Sequence, residues 1–176
     1  MKSKKSIFDA FVNLRSKKEL RKITVKELCE KALINKSTFY TYYEDMFDLS
    51  DKIESEIVDG IVSTISNPQM MIDEPVKFYR NLLGAMTENK ALTNTVFSGS
   101  QHPNLIVKLS KSLKNMIFEN CPLLDYAIYG GYYAFVENQE NTNDYSDELI
   151  ESVSVISEHM TKLIKASIPT LKSNNT

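Results

Sequence analysis

Apolar residues recur at three- and four-residue steps along most of the chain, and polar residues fill the gaps. Ile7, Phe8, Phe11, Val12 and Leu14 make one stripe and predict a first helix. Leu28 and Ala32, with Val25 and Cys29 alongside, predict a second. Thr24-Val25-Lys26-Glu27 has the S/T-x-x-E form of a capping box, so this helix should start with Thr24 as its N-cap and end near 32–34. Asn35 is placed to cap a third helix over 36–43, on which Phe39 and Tyr43 share the inward face. Leu49, Ile53, Ile57, Ile61 and Ile65 then recur every four residues. They predict one long helix, capped by Asp45 with Asp48 in its first turn, that stops around Ser66-Asn67-Pro68.

The second half continues the pattern. After a loop at 67–74, Pro75 suits the first turn of a helix carrying Val76, Tyr79, Leu82, Leu83 and Met86. A short helix over 90–97 is broken at 98–103. The next, from Pro103, carries Leu105, Ile106, Leu109, Leu113, Met116 and Ile117, with Lys108, Lys111 and Lys114 on a solvated side. Pro122 starts a helix in which Leu124, Ile128, Gly131 and Phe135 step by 4, 3, 4. The Gly130-Gly131 pair within it costs about 1 kcal/mol per glycine relative to alanine, which close approach of another helix would offset. Past a polar loop at 138–147, Leu149, Val153, Ile156, Met160 and Leu163 form a coiled-coil-like seam, and Pro169 ends the helix. These two seams fit either the core of one chain or a helical hairpin that pairs with its copy in a four-helix bundle.

Composition sharpens this. Five glycines and five prolines in 176 residues leave few turns, and no alternating β-branched run with hairpin turns occurs. The fold class is therefore all-α, with about nine helices. A net charge of −2 hides an uneven distribution: residues 1–47 carry 11 Lys/Arg against 6 Asp/Glu, and residues 48–176 carry 10 against 17. A basic head on an acidic body fits nucleic-acid binding, although clustered solvated lysines would give the same count. Lys2, Lys4 and Lys5 form a basic arm that either meets phosphates or frays into solvent. Cys29 and Cys121 cannot make a disulfide framework, which points to a reducing cytosol. No apolar core follows the basic N-terminus as in a signal peptide, and the uncharged run 126–136 falls short of the roughly 20 residues that span a bilayer. A cytoplasmic protein with no membrane partner is expected. His102 and His159 stand far apart with no ligand spacing around them, so no metal and no cofactor is expected. No nucleophile–base pairing or glycine-rich phosphate loop is visible, which excludes the common enzyme classes.

The chemistry lies at 23–49. Around the third helix, Lys36, Ser37, Thr38, Tyr40, Thr41 and Tyr42 offer an amine, hydroxyls and phenols without a carboxylate. Such a surface can bond phosphates and base edges in a major groove, from which an acid would be repelled. Thr24, Val25, Leu28, Cys29, Ala32, Ile34, Asn35, Ser37, Thr38, Phe39, Tyr40, Tyr42, Tyr43, Asp45 and Leu49 stand at fixed spacing. In that arrangement the stretch resembles the helix-turn-helix of TetR-type transcriptional regulators. The resemblance covers about the first third of the chain. Two departures mark it. Leu33 replaces the turn glycine, so the turn either avoids a left-handed conformation or strains to reach one. Met46 replaces the lysine that touches a phosphate at the start of the fourth helix, which removes one expected contact.

The resemblance implies a DNA-binding domain at 1–47, with the helix-turn-helix at about 25–44, and a helical ligand-binding and dimerisation domain at 48–176. It implies a homodimeric regulator, a repressor responsive to an effector, on a near-palindromic double-stranded DNA operator. Lys22, Thr24, Lys26, Asn35, Lys36, Ser37, Thr38, Tyr40, Thr41 and Tyr42 would meet the DNA. The last two helices would dimerise through Leu124, Ile128, Gly131, Phe135, Leu149, Val153, Ile156, Met160 and Leu163. A small apolar or aromatic effector would sit among the helices of the body. Tyr79, Met86, Phe97, Ile117, Phe118, Tyr126, Tyr129 and Tyr133 are its candidate lining, and plain core packing is the competing reading of each. The alternative function is a TetR-like protein-interaction adaptor whose body answers to a protein.

Overall fold

A computed structural model describes residues 2–67 and 70–117, and beyond them Asp125, residues 128–130, Tyr132, Tyr133 and a few positions between 151 and 166. Among the described residues eight helices run in order: α1 (Lys2–Arg15), α2 (Val25–Ala32), α3 (Lys36–Tyr40), α4 (Met46–Ser63), α5 (Met70–Asp73), α6 (Pro75–Glu88), α7 (Lys90–Val96) and α8 (His102–Ile117). Short 3-10 turns lie at Leu20–Lys22 and Gly99–Gln101. No strand occurs among the described residues, and the fold is all-α. No helix among them is long and apolar enough to cross a membrane, and no group of His, Cys, Asp and Glu among them could hold a metal ion.

The chain packs as two compact units. The first is Met1–Gly60 with Asn89–Lys108; the second is Ile61–Glu88 with Leu109–Thr176. The first unit holds α1–α3 with most of α4, all of α7 and the start of α8.

In the first unit most positions of the predicted apolar stripes meet in the core, while Phe8, Val12 and Val25 are half-buried. Ile7, Phe11 and Leu14 of α1, Leu28, Cys29 and Ala32 of α2, Phe39, Tyr43, and Leu49, Ile53 and Ile57 of α4 are all buried. Two charged side chains are buried with them. Arg15, at the end of α1, donates to Lys18 O at 2.9 Å, Val96 O at 3.0 Å, Ser98 O at 3.1 Å and Ser98 Oγ at 2.8 Å. It therefore takes up the Val96 carbonyl that the end of α7 leaves without an intrahelical partner, and shares the Ser98 carbonyl with the Gln101 N–H. Glu54 of α4 accepts from Ser50 Oγ at 2.9 Å and from Asn104 Nδ2 of α8 at 3.1 Å. Nearby, Lys108 Nζ reaches Asp51 Oδ1 at 2.6 Å and Ser55 Oγ at 2.9 Å.

In the second unit Ile61 and Ile65 continue the α4 stripe, and Phe78, Tyr79, Leu82, Leu83 and Met86 of α6 are buried. Asp125 accepts from Ser110 and Lys114 of α8, at 3.1 and 2.8 Å.

Several expectations are corrected. Helix α3 ends at Tyr40, not at 43. Beyond it Tyr42 N–H bonds to Phe39 O, a tightened turn, and Lys52 Nζ takes the Tyr42 carbonyl at 3.2 Å. Helix α4 ends at Ser63, and the loop at 67–74 contains the one-turn α5. Val76 is 45% exposed in the first turn of α6, and Phe78 is buried in its stead. Lys108 and Lys114 pair with Asp51 and Asp125, so only Lys111 of that row is a simple solvated lysine. Lys2, Lys4 and Lys5 belong to α1 rather than to a loose arm. A Cβ added at Gly130 would meet nothing within 4 Å, so no close helix approach accounts for that glycine among the described residues.

Candidate nucleic-acid interface

The interface builds up from two caps and a turn. Thr24 Oγ1 accepts the N–H of Glu27 at 3.2 Å and so starts α2 as expected. Lys18 reaches Glu27 at 2.6 Å from the preceding link. At the other end Leu33 has φ 55 and ψ 46, a left-handed conformation. Its N–H bonds to Glu30 O at 3.4 Å and that of Ile34 to Cys29 O at 3.0 Å. These two bonds are the Schellman pattern, which serves the last carbonyls of the helix. The turn thus keeps the geometry that glycine would give it, with a leucine that is 91% exposed.

Asn35 follows as N-cap by position, although its side chain makes no cap bond. Phe39 and Tyr43 hold α3 down, 5.6 Å apart between ring centroids. This leaves Lys36, Ser37, Tyr40 and Thr41 exposed, with Thr38 and Tyr42 half-buried. The Thr41 hydroxyl donates to Ser37 O at 3.0 Å, so its own proton is already used. Among the described residues no carboxylate pairs with Lys36. Lys22 and Lys26 make loose, exposed contacts with Glu19 at 3.5 Å and Glu30 at 3.9 Å, of the kind worth little.

Helix α4 starts beside this face. Asp45 Oδ1 accepts from the N–H groups of Phe47 and Asp48, both at 2.8 Å, as its N-cap role predicts. Asp48 Oδ2 accepts from Glu44 N–H at 2.9 Å and from Lys52 Nζ at 2.9 Å. The Lys52 bond first, and the backbone bond next, hold the Asp48 carboxyl below its ordinary range. Met46, at the lysine position of the resemblance, is buried, while Phe47 beside it is 56% exposed.

Two cations that periodicity did not single out complete the picture. Lys52 Nζ lies 5.4 Å from the centroid of the Tyr43 ring, and Lys4 Nζ lies 5.6 Å from that of Tyr42. Both are within cation–π range. Lys52 is one helical turn from Asp48, so an i, i+4 rule could have found that pair. Nothing local in the sequence connects Lys4 to Tyr42.

The other sequence-predicted sites are less gathered. Tyr79 and Met86 are buried in the second unit and Phe97 in the first. Tyr129 is half-buried and Tyr133 is 59% exposed. Ile117 lies in the last turn of α8 with its side chain outside the described residues, as are Phe118 and Tyr126 altogether. Of the seam residues, Ile128 is buried, while Ile156 and Leu163 are 62% and 55% exposed. Leu124, Gly131, Phe135, Leu149, Val153 and Met160 lie outside the described residues.

No family model matches the chain, and no solved structure matches it. A match was found among curated proteins, and it spans 14% of that relative's length. Over 53 residues, 30% of its own length, the chain is 30% identical to the uncharacterized HTH-type transcriptional regulator YxbF of Bacillus subtilis (strain 168).

Proposed function

We propose that the protein is a DNA-binding transcriptional regulator of the TetR kind, in which α3 is the reading helix. The observation that carries this reading is the capped α2, the Schellman turn and α3 in succession. They leave Lys36, Ser37 and Tyr40 exposed while Phe39 and Tyr43 are buried. A helix-turn-helix needs that division, because its second helix must enter the major groove and present side chains to base edges. Lys36 and Ser37, in the first turn of α3, are the base readers. Thr24, Tyr40 and Tyr42 hold phosphates, with Lys22 and Lys26 beside them. The similarity to a helix-turn-helix regulator supports the same reading.

The active form on this reading is a homodimer that represses from a near-palindromic operator and is released by a small apolar or aromatic effector. Ile156 and Leu163 support the dimer: they are seven residues apart, as two turns of a seam require, and both are exposed in the single chain. The test is selection from a random double-stranded DNA pool across a salt series, with mass measurement of the bound species. A selected palindrome, a dimer on it and steep salt dependence are expected. No enrichment even at low salt would overturn the reading.

A second reading, a protein-interaction adaptor with the same fold, is favoured by Leu33 and Phe47. They expose large apolar surface on the unit that carries α3.

A further inference from the structure

We propose that Lys4 is a backbone-contact residue of the DNA interface, acting as one unit with Tyr42 across 38 positions of sequence. The inference rests on the DNA-binding reading above and adds to it a residue from a different helix. It starts from the environment of Tyr42. Two ammonium groups approach this residue: Lys4 lies over its ring, 5.6 Å from the centroid, and Lys52 bonds its carbonyl at 3.2 Å. Their charges are in different states. Lys52 is paired with Asp48 at 2.9 Å, so its charge is already answered within the protein. No carboxylate pairs with Lys4 among the described residues, and its side chain is exposed.

A cation over a phenol ring does two things. It holds the ring against rotation, which fixes where the hydroxyl points. It also leaves the ammonium hydrogens that face away from the ring free to meet an anion. An ammonium over the face of the ring and the phenol O–H at its edge suit oxygens of one phosphodiester, or of neighbouring ones, on a strand passing α3. This supplies a positive charge at an interface where Met46 is buried and brings none. Lys4 therefore acts both as a phosphate contact and as the positioning residue for Tyr42.

The test uses the full chain and the operator obtained by selection, with affinity measured over a salt series and the melting temperature measured for each variant. Lys4→Met should weaken binding about tenfold at the lowest salt and make the slope of log affinity against log salt shallower by about one, as loss of one phosphate contact requires. Lys4→Arg should restore the slope, and the charge-matched control Lys111→Met should leave it unchanged. In a Tyr42→Leu background Lys4→Met should cost several-fold less than in the parent protein, since the pair is already broken. Melting temperatures should not move for the Lys4 variants, because the side chain is exposed. An unchanged slope in Lys4→Met, with steep salt dependence in the parent protein, overturns this inference and leaves the DNA-binding reading intact. Equal cost in both backgrounds overturns the pairing with Tyr42. A parent protein that selects no DNA overturns both.

Discussion

Asn104 of α8 donates its side-chain amide to Glu54 of α4 at 3.1 Å, and the carboxylate that receives it is 1% exposed. Burial is the largest influence on Glu54 and pushes its pKa above the ordinary value; the Ser50 and Asn104 bonds oppose this, as does Lys108, while Asp51 adds to it. A folded-state pKa above the unfolded one means that the folded chain holds the proton more tightly. The stability this lends is full below the unfolded pKa and is lost as pH rises through the folded one. Stability to urea should therefore fall as pH rises out of the ordinary carboxylate range. Glu54→Gln should flatten this dependence and be the more stable protein at pH 7 to 8. Its oxygen can face Asn104 and its amide the Ser50 hydroxyl, so both bonds survive. A Gln variant with the parent's pH profile would remove Glu54 as the cause.

Arg15 should be among the most costly polar side chains to lose. Its guanidinium serves two carbonyls and a hydroxyl at Val96 and Ser98, and a third carbonyl at Lys18. Arg15→Met should lower stability by about 2–3 kcal/mol, the range for buried bonds to a charged group. Arg15→Lys should recover little of it, because an ammonium lacks the planar fork. Urea unfolding of the two variants checks this.

Leu33→Gly should stabilise the protein. The left-handed conformation costs an L-residue about 1–2 kcal/mol, and glycine gives back part of that gain through its freer unfolded chain. Leu33 is almost wholly exposed, so no packing is lost. A net gain of about 0.5–1 kcal/mol is expected, read as a higher urea midpoint with an unchanged slope.

The two caps should each carry a measurable share of stability. Thr24→Ala removes one acceptor and Asp45→Ala removes one that serves two N–H groups. Losses of about 1 and about 1–2 kcal/mol are expected, with Thr24→Ser close to the parent. Chemical denaturation of the three variants would show whether that order holds.

On the selected operator, Lys36→Ala should cost about 1–3 kcal/mol and relax the preference at one base pair of each half-site. Lys26→Ala should weaken binding to all sequences alike if it meets only phosphate. Repeating the selection with each variant separates the two outcomes.

Features set by near neighbours in the chain could be read from the sequence. The caps at Thr24 and Asp45, the inward pair Phe39 and Tyr43, and the four-residue stripe from Leu49 to Ile65 all follow from spacing alone. What escaped depends on partners far along the chain. Arg15 reads as one more charge in a basic link until Val96 and Ser98 close around it. Glu54 sits next to Ile53, and only Ser50 and Asn104 show why an acid is tolerated there. The position of Lys4 over Tyr42 depends on how α1 packs. At Leu33 the sequence left two conformations open, and the hydrogen bonds of Glu30 and Cys29 decide between them.

Apart from the Ser98 hydroxyl, Arg15 binds main-chain oxygens, and every amino acid supplies one of those. Any residue at position 96 offers the same acceptor. No exchange there can compensate for loss of Arg15, and a suppressor screen against an Arg15 variant should return changes elsewhere. For the same reason, correlated substitution across descendants of this sequence would not reveal that residues 15 and 96 touch. The contact is specified at one end only, by the arginine.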